Sequence, residues 1–241
     1  MLINGMCYNN YRIKTFLRGN ESLACYVRLM HREDVAQVTE IDREAFPALW
    51  PPINYERELA NRLAHYIVAC DEGERVEEPE VEAPLEKDPP GLGSRVRRLF
   101  NYNRFFGYEP PESGKQYITG FTGFWIMAGE AHITSIAVRE LRRRQGIGEL
   151  LLISVINLAA ELNARIITLE VRISNTTAQG LYYKYGFTNA GLRRNYYVDN
   201  KEDAVIMSTE NITSAPFQAH LQRLKQAHSR KWGIALYQIA R

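Results

Sequence analysis

Apolar residues recur along the chain with two periodicities, which predict where its strands and helices lie. Strict alternation of apolar and polar residues predicts a strand, whereas apolar residues three and four positions apart predict a helix. Strands are predicted at 24–30, 65–70, 117–127, 132–138, 165–172, about 187–198 and 204–209. Helices are predicted at 32–45, about 54–64, 146–163, between Asn175 and Gly186, and at about 216–232. This order predicts an α/β protein with helices on the faces of a mixed sheet.

The regular pattern stops after the strand at 65–70. Nine acidic residues stand between Asp71 and Asp88, and four prolines stand between 79 and 90, which indicates a loop. A basic and aromatic segment follows at 95–108. The predicted organisation is an extension at 1–23, a domain at 24–210 with an insertion at 74–116, and a helical extension at 211–241.

The basic and aromatic segment at 95–108 has two interpretations. Arginines interleaved with aromatic rings could bind single-stranded nucleic acid, because bases stack on the rings. The rings could instead pack on the core while the preceding acidic residues neutralise the arginines, and this second interpretation is preferred. The final helix at 216–232 could likewise cover the core, or contact a ribosome or another partner.

Composition and charge restrict the function only loosely. The chain has 241 residues and a net charge of +2, so its bulk charge indicates neither a nucleic-acid nor a membrane partner. Its apolar runs are too short to span a bilayer, and its first residues lack the apolar core of a secretory signal. Cys7, Cys25 and Cys70 are widely spaced, so no metal site or disulfide is predicted, and the last two are expected to be core thiols. These features predict a cytoplasmic protein.

The chemistry is concentrated around RRRQGIGELLL, residues 142–152, where two glycines precede an apolar helix. A P-loop would need a lysine after Gly148, and a dinucleotide-binding turn would need a glycine where Leu151 stands. The free N–H groups of a helix start, together with arginines, can bind a pyrophosphate or a similar anion. The alternative is a helix start that glycines make flexible, with arginines exposed to solvent. The turn by itself does not decide between an anion site and this alternative.

Together with ITSIAV at 133–138, this turn resembles the acetyl-CoA motif of the GNAT acetyltransferase family, Arg/Gln-x-x-Gly-x-Gly/Ala. The resemblance implies the GNAT fold, with a mixed and mostly antiparallel sheet, and acetyl-CoA as co-substrate without a metal. It implies that the coenzyme's pantetheine arm pairs with Ile136, Ala137 and Val138. It also implies that the coenzyme's pyrophosphate binds the turn formed by Arg143, Arg144, Gln145, Gly146, Ile147, Gly148 and Glu149.

Two further stretches, LEVRISNTTAQGLYYKYGF and RRNYYVDNKEDAVIM, are similar to the RimI-type ribosomal-protein alanine N-acetyltransferases. This resemblance is strong over 117–209 and weak over 24–73. It implies acetyl transfer to the α-amino group of a protein N-terminus, by direct attack on the thioester. Its catalytic residues correspond to Glu170 as base and Tyr182 as acid, and a coenzyme contact corresponds to Asn175.

Other positions carry less specific expectations. The N–H of Ala137 or Val138 is the candidate donor to the oxyanion. The resemblance also assigns peptide contacts to Phe46, Pro47, Tyr196 and Tyr197, which could equally be ordinary packing residues.

Each catalytic assignment has a structural alternative. Glu170 could simply pair with Arg172 or Arg165, Tyr182 could serve helix packing, and Asn175 could be a plain helix cap. The alternative functions are acetylation of lysine or small amines, and a non-catalytic coenzyme-binding or ribosome-associated module.

Overall fold

A computed structural model describes residues 25–47, 53–76 and 115–233 of the chain. The extension predicted at 1–23 and the basic and aromatic segment at 95–108 lie outside these residues, as does most of the insertion predicted at 74–116. Two compact units are distinguished, Met1–Glu72 with Ile118–Arg241, and Gly73–Tyr117. Of the second unit, only the outer ends of two strands are described.

Seven strands form one sheet in the order β1-β2-β3-β4-β5-β7-β6. Their bounds are β1 Cys25–Leu29, β2 Ala64–Val76, β3 Lys115–Met127, β4 Glu130–Val138, β5 Ile166–Arg172, β6 Phe187–Arg193 and β7 Ala204–Thr209. β4 and β5 pair in parallel, whereas β1–β2, β3–β4, β5–β7 and β6–β7 pair antiparallel. The predicted mixed, mostly antiparallel sheet is therefore confirmed.

Within the described ranges, five α-helices accompany the sheet: α1 Val35–Ala45, α2 Tyr55–Leu59, α3 Ile147–Glu161, α4 Thr176–Lys184 and α5 Ala215–Trp232. α3 and α5 contribute to one apolar cluster, and α1 and α2 contribute to a second. α3 has ten buried residues among its 15, so it is a core helix rather than an amphipathic surface helix. Cys25 and Cys70 are buried free thiols, as predicted.

One predicted element was too short and two were too long. The strand predicted at 65–70 continues to Val76, so the acidic segment from Asp71 begins as part of β2 and not as a loop. The spacing of Leu59 and Leu63 predicted a helix to about residue 64, but α2 ends at Leu59. The Asn61 side chain accepts a hydrogen bond from the N–H of Leu63 at 3.1 Å, which replaces helical pairing by a local turn. Leu63 is 48% exposed, so its apolar spacing did not reflect burial.

β6 was predicted to continue to about residue 198, but it ends at Arg193. Asn195 has a positive φ of 52°, a conformation that interrupts a strand and that asparagine tolerates. Its N–H donates to Asp203 Oδ1 at 2.8 Å, across the loop to β7. Residues 194–203 therefore form a loop instead of a strand end.

One extra residue in β4 changes the sheet at its centre. Ser135 pairs with Gly123 and Ile133 pairs with Phe124, so Thr134 has no partner in β3 and forms a β-bulge. In a regular strand, Ile133 and Ala137 would lie on the same face, because they are four residues apart. Here Ile133, before the bulge, belongs to the apolar cluster of α3, whereas Ala137, after it, belongs to that of α1. The bulge therefore exchanges the two faces of β4.

β4 and β5 part at this bulge. Their last paired residues are Ile133 and Leu169, although β4 continues to Val138 and β5 to Arg172. Beyond this point β4 stays paired with β3, and β5 stays paired with β7. The sheet thus opens between its two central strands, and the turns leading to α3 and α4 follow directly from the two parted ends.

Candidate active site

The parted end of β4 presents backbone groups to the opening between β4 and β5. Arg139 donates its N–H to a carbonyl of β3 at 2.9 Å, and in an antiparallel ladder successive residues point alternately toward and away from a neighbour. The N–H and C=O of Val138 and Ile136 therefore face the opening, whereas those of Ala137 face β3. In agreement, the Val138 carbonyl accepts from Nε of Arg143 at 3.2 Å. Of the two candidate donors, only Val138 faces the opening.

The turn from β4 to α3 exposes a row of backbone donors. Two of its residues are left-handed, Arg144 with φ 64° and Gly146 with φ 83°. Within the described parts of the chain, the N–H groups of residues 144–149 donate to no other protein group. Because free N–H groups and the helix dipole both favour negative charge, this turn is suited to a diphosphate.

The two glycines of the turn have different surroundings. A Cβ on Gly146 would lie 2.6 Å from Nε1 of Trp232, and the positive φ also favours glycine there. A Cβ on Gly148 would meet only Cγ2 of Val138 at 3.8 Å, which is an ordinary contact. Glycine therefore leaves room for a ligand at Gly148, whereas Gly146 is required by the protein's own packing and backbone.

Glu149, in the first turn of α3, is tied to α4 through its side chain. Its Oε1 accepts hydrogen bonds from Lys184 Nζ and, at 2.6 Å, from the hydroxyl of Tyr185. Burial raises the pKa of the Glu149 carboxyl, but these two hydrogen bonds, together with the charges of Lys184 and His228, leave the pKa below its usual value. The backbone N–H of Glu149 remains available to a ligand.

Glu170 lies where β4 and β5 part, with a side chain only 7% exposed. Its Oε1 is 3.0 Å from Nη2 of Arg193, and its Oε2 is 3.1 Å from Nε2 of His132. On the other side of the ring, His132 Nδ1 is 3.0 Å from the hydroxyl of Thr168. The alternative in which Glu170 pairs with Arg172 or Arg165 is wrong, because Arg193 and His132 are its partners.

Sequence reasoning missed His132 and Arg193. The signal for His132 was available only after the strands were paired: His132 is directly opposite Thr168 in the parallel register. Since side chains alternate, Thr168 and Glu170 share one face of β5 with His132 beside them. Arg193 ends β6, which is separated from β5 by β7, so no sequence spacing indicated its contact with Glu170.

Arg172, one of the two alternative partners considered for Glu170, organises the loop between β6 and β7 instead. Its guanidinium binds Asp199 at 2.9 Å and Glu202 at 3.1 Å, and lies 3.8 Å above the ring of Tyr197. Hydrogen bonds from Ser174, together with the one from Arg172, lower the pKa of Glu202 to about 2. Each of the two Nη atoms thus pairs with a different carboxylate while the guanidinium plane stacks on Tyr197, and these contacts together fix the loop.

Two tyrosines lie near Glu170, and a third lies near one of them. Tyr196 and Tyr197 pack edge to face at 5.2 Å, and burial raises the pKa of each, with the charge of Glu170 adding to the effect. Tyr182 packs against the α3 cluster with its ring 5.6 Å from that of Phe187. Burial, and then the nearby Tyr197, raise the pKa of Tyr182 to about 12, so its phenol stays protonated at neutral pH.

The remaining predicted residues are distributed around the opening. Asn175 is the N-cap of α4 and accepts from the N–H of Ala178 at 3.1 Å, which confirms the capping role and is compatible with a coenzyme contact. Phe46 and Pro47 follow α1, whose Glu40 binds Arg139 at 2.6 Å near the end of β4. They therefore belong to the β4 side of the opening, whereas Tyr196 and Tyr197 belong to the β5 side.

The described residues contain neither a cluster of metal ligands nor a membrane-spanning helix. No group of three His, Cys, Asp or Glu residues in 25–47, 53–76 and 115–233 is arranged to hold a metal ion. In the same ranges, no helix combines the length and the apolar character needed to cross a bilayer.

Comparison with known proteins connects this geometry to a family. The sequence profile described as "Acetyltransferase (GNAT) family" matches residues 80–187. A Bacillus subtilis protein named "putative ribosomal protein bS18-alanine N-acetyltransferase" is 35% identical over 182 residues, covering 75% of this chain and 92% of the relative.

Solved structures have the same fold. The ribosomal-protein-S18-alanine N-acetyltransferase of Escherichia coli matches with a TM-score of 0.54 and 21% identity, over 79% of this chain and 96% of its own. Arabidopsis thaliana NAA60 in complex with acetyl-CoA matches with a TM-score of 0.55 and 15% identity, over 77% of this chain and 98% of its own.

Proposed function

We propose, from the premise that the chain belongs to the GNAT acetyltransferase family and is an acetyl-CoA-dependent N-acetyltransferase, that its acceptor is the α-amino group of a protein N-terminus. The observation that carries this proposal is the position of Glu170, at the opening between β4 and β5 and beside Tyr196 and Tyr197. A carboxylate at that point can receive the proton of an amine that approaches between the two strands. The catalytic domain is proposed to span residues 24–210.

An α-amino group suits this site better than a lysine side chain does. Its pKa is about 7.7–8.0, against about 10.4 for lysine, so about a tenth of it is neutral at pH 7. Only the neutral amine is a nucleophile. A single carboxylate is therefore a sufficient base for an N-terminus, whereas a lysine would need a much stronger one.

Glu170 is the proposed base, and His132 is proposed to pass the proton that Glu170 receives on to solvent. The amine's proton passes to the Glu170 carboxylate, directly or through one water. The His132 ring touches the carboxylate with Nε2 and the Thr168 hydroxyl with Nδ1, and its side chain is 37% exposed. It therefore joins the buried base to the solvent side of the sheet, while Arg193 holds the other carboxylate oxygen in place.

The proposed oxyanion donor, acid and coenzyme-binding residues are groups that lie on one or the other side of the opening. Acetyl-CoA supplies a thioester carbonyl, which the amine attacks directly while the coenzyme leaves as a thiolate. The N–H of Val138 is the proposed donor to the carbonyl oxygen, since it faces the opening. Tyr182, protonated at neutral pH, is the proposed acid for the thiolate. The residues proposed to bind the coenzyme are Ile136, Val138, Asn175 and the turn at 143–149.

The acceptor peptide is proposed to enter between Phe46–Pro47 on the β4 side and Tyr196–Tyr197 on the β5 side. The relatives named above are said to act on the alanine of ribosomal protein bS18 or S18. We therefore propose an N-terminal alanine, presented by a ribosomal protein in the cytoplasm, as the natural acceptor.

Two synthetic peptides test the acceptor class. One has a free N-terminal alanine and no lysine; the other has the same sequence with a blocked N-terminus and one internal lysine. With acetyl-CoA, mass spectrometry is expected to show acetylation of the first peptide only. Acetylation of the second alone would overturn the proposal in favour of a lysine acetyltransferase, and coenzyme binding without acetylation of either would favour a non-catalytic module.

A further inference from the structure

The C-terminal helix α5 lies outside the residues that match the family profile, yet it reaches the turn at 143–149. His228 of α5 is 2% exposed, and its Nε2 lies 3.0 Å from the carbonyl oxygen of Gly146. Trp232, one turn further along α5, occupies the space beside the Gly146 Cα. Two side chains of α5 therefore converge on the N-cap residue of α3.

The hydrogen bond to Gly146 has a consequence on the opposite side of the same peptide group. In a planar trans peptide, the C=O of one residue and the N–H of the next point in opposite directions. The Gly146 carbonyl accepts from Leu150 N–H at 2.9 Å as well as from His228. With its carbonyl held from two sides, this peptide directs the N–H of Ile147 away from the helix, toward the opening.

The chemical state of His228 fits a donor role. Burial lowers the pKa of His228, which favours the neutral ring, and a neutral imidazole has one N–H. Because Nε2 faces a carbonyl oxygen, Nε2 must carry that hydrogen. The Trp232 indole meanwhile leaves no room for a side chain on Gly146, so the left-handed backbone at φ 83° is held by packing.

We propose that α5 is a positioning element for coenzyme binding, in which His228 and Trp232 fix the Gly146–Ile147 peptide so that its N–H faces the coenzyme's diphosphate. The inference rests on the proposed binding of that diphosphate at 143–149. It assigns a specific role to α5, for which the sequence predicted only that it covers the core or contacts a partner. Neither residue touches the reacting atoms, so the predicted effect is on affinity for the diphosphate and not on the chemical step.

Calorimetric titration of the full chain with coenzyme A and with pantetheine, which lacks the diphosphate, tests this inference. His228→Ala is expected to raise the Kd for coenzyme A about tenfold, the factor that corresponds to losing one buried hydrogen bond of about 1.4 kcal/mol. The weaker binding of pantetheine is expected to change less than about twofold. H228N, whose amide can still donate, is expected to recover part of the affinity and provides a second variant if H228A does not fold.

Lys225→Met provides the matched control. Lys225 precedes His228 by one turn of α5 and donates to Asn157 in α3 at 2.6 Å, so it joins the same two helices away from Gly146. K225M is expected to lower stability while leaving both affinities unchanged. Equal losses for H228A and K225M, or parallel losses for coenzyme A and pantetheine, would overturn the inference. These titrations need no acceptor peptide, so a failure of the proposed acceptor class would be seen separately.

Discussion

Glu170 Oε2 and His132 Nε2 are 3.1 Å apart, so the proposed base is in direct contact with a partly exposed imidazole from the neighbouring strand. This contact exists because β4 and β5 are parallel and in register up to Ile133 and Leu169. It links a carboxylate that is almost inaccessible to water with the surface. The same pair defines the most direct test of the chemistry.

Glu170→Gln removes the proton acceptor but keeps the size of the side chain. It is expected to lower kcat/KM for an N-terminal alanine peptide by about 10²–10⁴, the usual contribution of a general base. The Kd for coenzyme A should stay unchanged, because Glu170 is not part of the turn at 143–149. Steady-state kinetics and calorimetry check the two parts. Glu210→Gln, at an exposed position after β7, is the control and should retain full activity.

Tyr182→Phe removes the proposed proton donor to the leaving thiolate. It is expected to lower kcat about 10²-fold with little effect on coenzyme affinity. Because the pKa of Tyr182 is raised to about 12, the wild type should show no loss of rate from its ionisation between pH 7 and 10. An unchanged kcat in Y182F would contradict the assignment of Tyr182 as the acid. A wild-type rate that falls near pH 10, with no such fall in Y182F, would contradict the raised pKa instead.

Arg172→Met removes the contacts that fix the loop at 194–203. The KM for the peptide is expected to rise about five- to tenfold, since a hydrogen-bonded charge contributes about 1.5–3 kcal/mol when fully effective and less when exposed. Coenzyme affinity should be unaffected. Arg165→Met, on the exposed start of β5, is the matched control. An unchanged peptide KM in R172M would show that the loop does not position the acceptor.

The two glycines of the turn should respond differently to alanine. Gly146→Ala must accept both a left-handed backbone and a contact of 2.6 Å with Trp232. It is expected to lower the free energy of unfolding by about 1–3 kcal/mol, measured by urea denaturation. Gly148→Ala should leave stability unchanged but weaken coenzyme binding, because its methyl group would project into otherwise open space. Equal stability losses for both variants would contradict this distinction.

The buried His228 predicts a pH dependence of stability. Burial is the main cause of its lowered pKa; Lys184 and Lys231 add to the effect, while the Gly146 carbonyl and Glu149 oppose it. In the unfolded chain the imidazole has a pKa of about 6.5, so below that pH the unfolded state binds the proton more readily. Stability contributed by the neutral ring is thus fully present above about pH 6.5 and is lost as the pH falls through the lower folded-state pKa.

Melting temperatures at pH 7.5 and 5.5 measure this effect. The melting temperature of the wild type is expected to fall more on acidification than that of H228N, because the variant has no imidazole at position 228. An equal loss in both proteins would show that protonation of His228 is not linked to folding.

The sequence predicted those features that depend on local periodicity. α3 and β5 were predicted with nearly correct bounds because their apolar residues recur regularly over many positions. The bulge at Thr134 was not predicted, since HITSIAV is a regular strand pattern and the extra residue becomes evident only when β4 is paired with β3. Boundaries set by side-chain turns, such as those at Asn61 and Asn195, were also missed.

The predicted site residues were partly brought together and partly given other roles. Glu170, Tyr196 and Tyr197 do lie close together, and Tyr182 is near Tyr197. Their partners could not be predicted, because His132, Arg193 and Glu170 come from three strands that only the sheet order brings together. The contact between His228 and Gly146 spans 82 residues of sequence and belongs to no local pattern.

An extra half-row in a crystal lattice produces an edge dislocation, with the misfit confined to one line and intact order on both sides. Thr134 has the same effect in this sheet. Both central strands keep their outer neighbours, and a single surplus residue absorbs the whole mismatch between the joined and the separated halves. The cleft is therefore a defect built into a continuous sheet, because each parted strand keeps the paired neighbour on its other side.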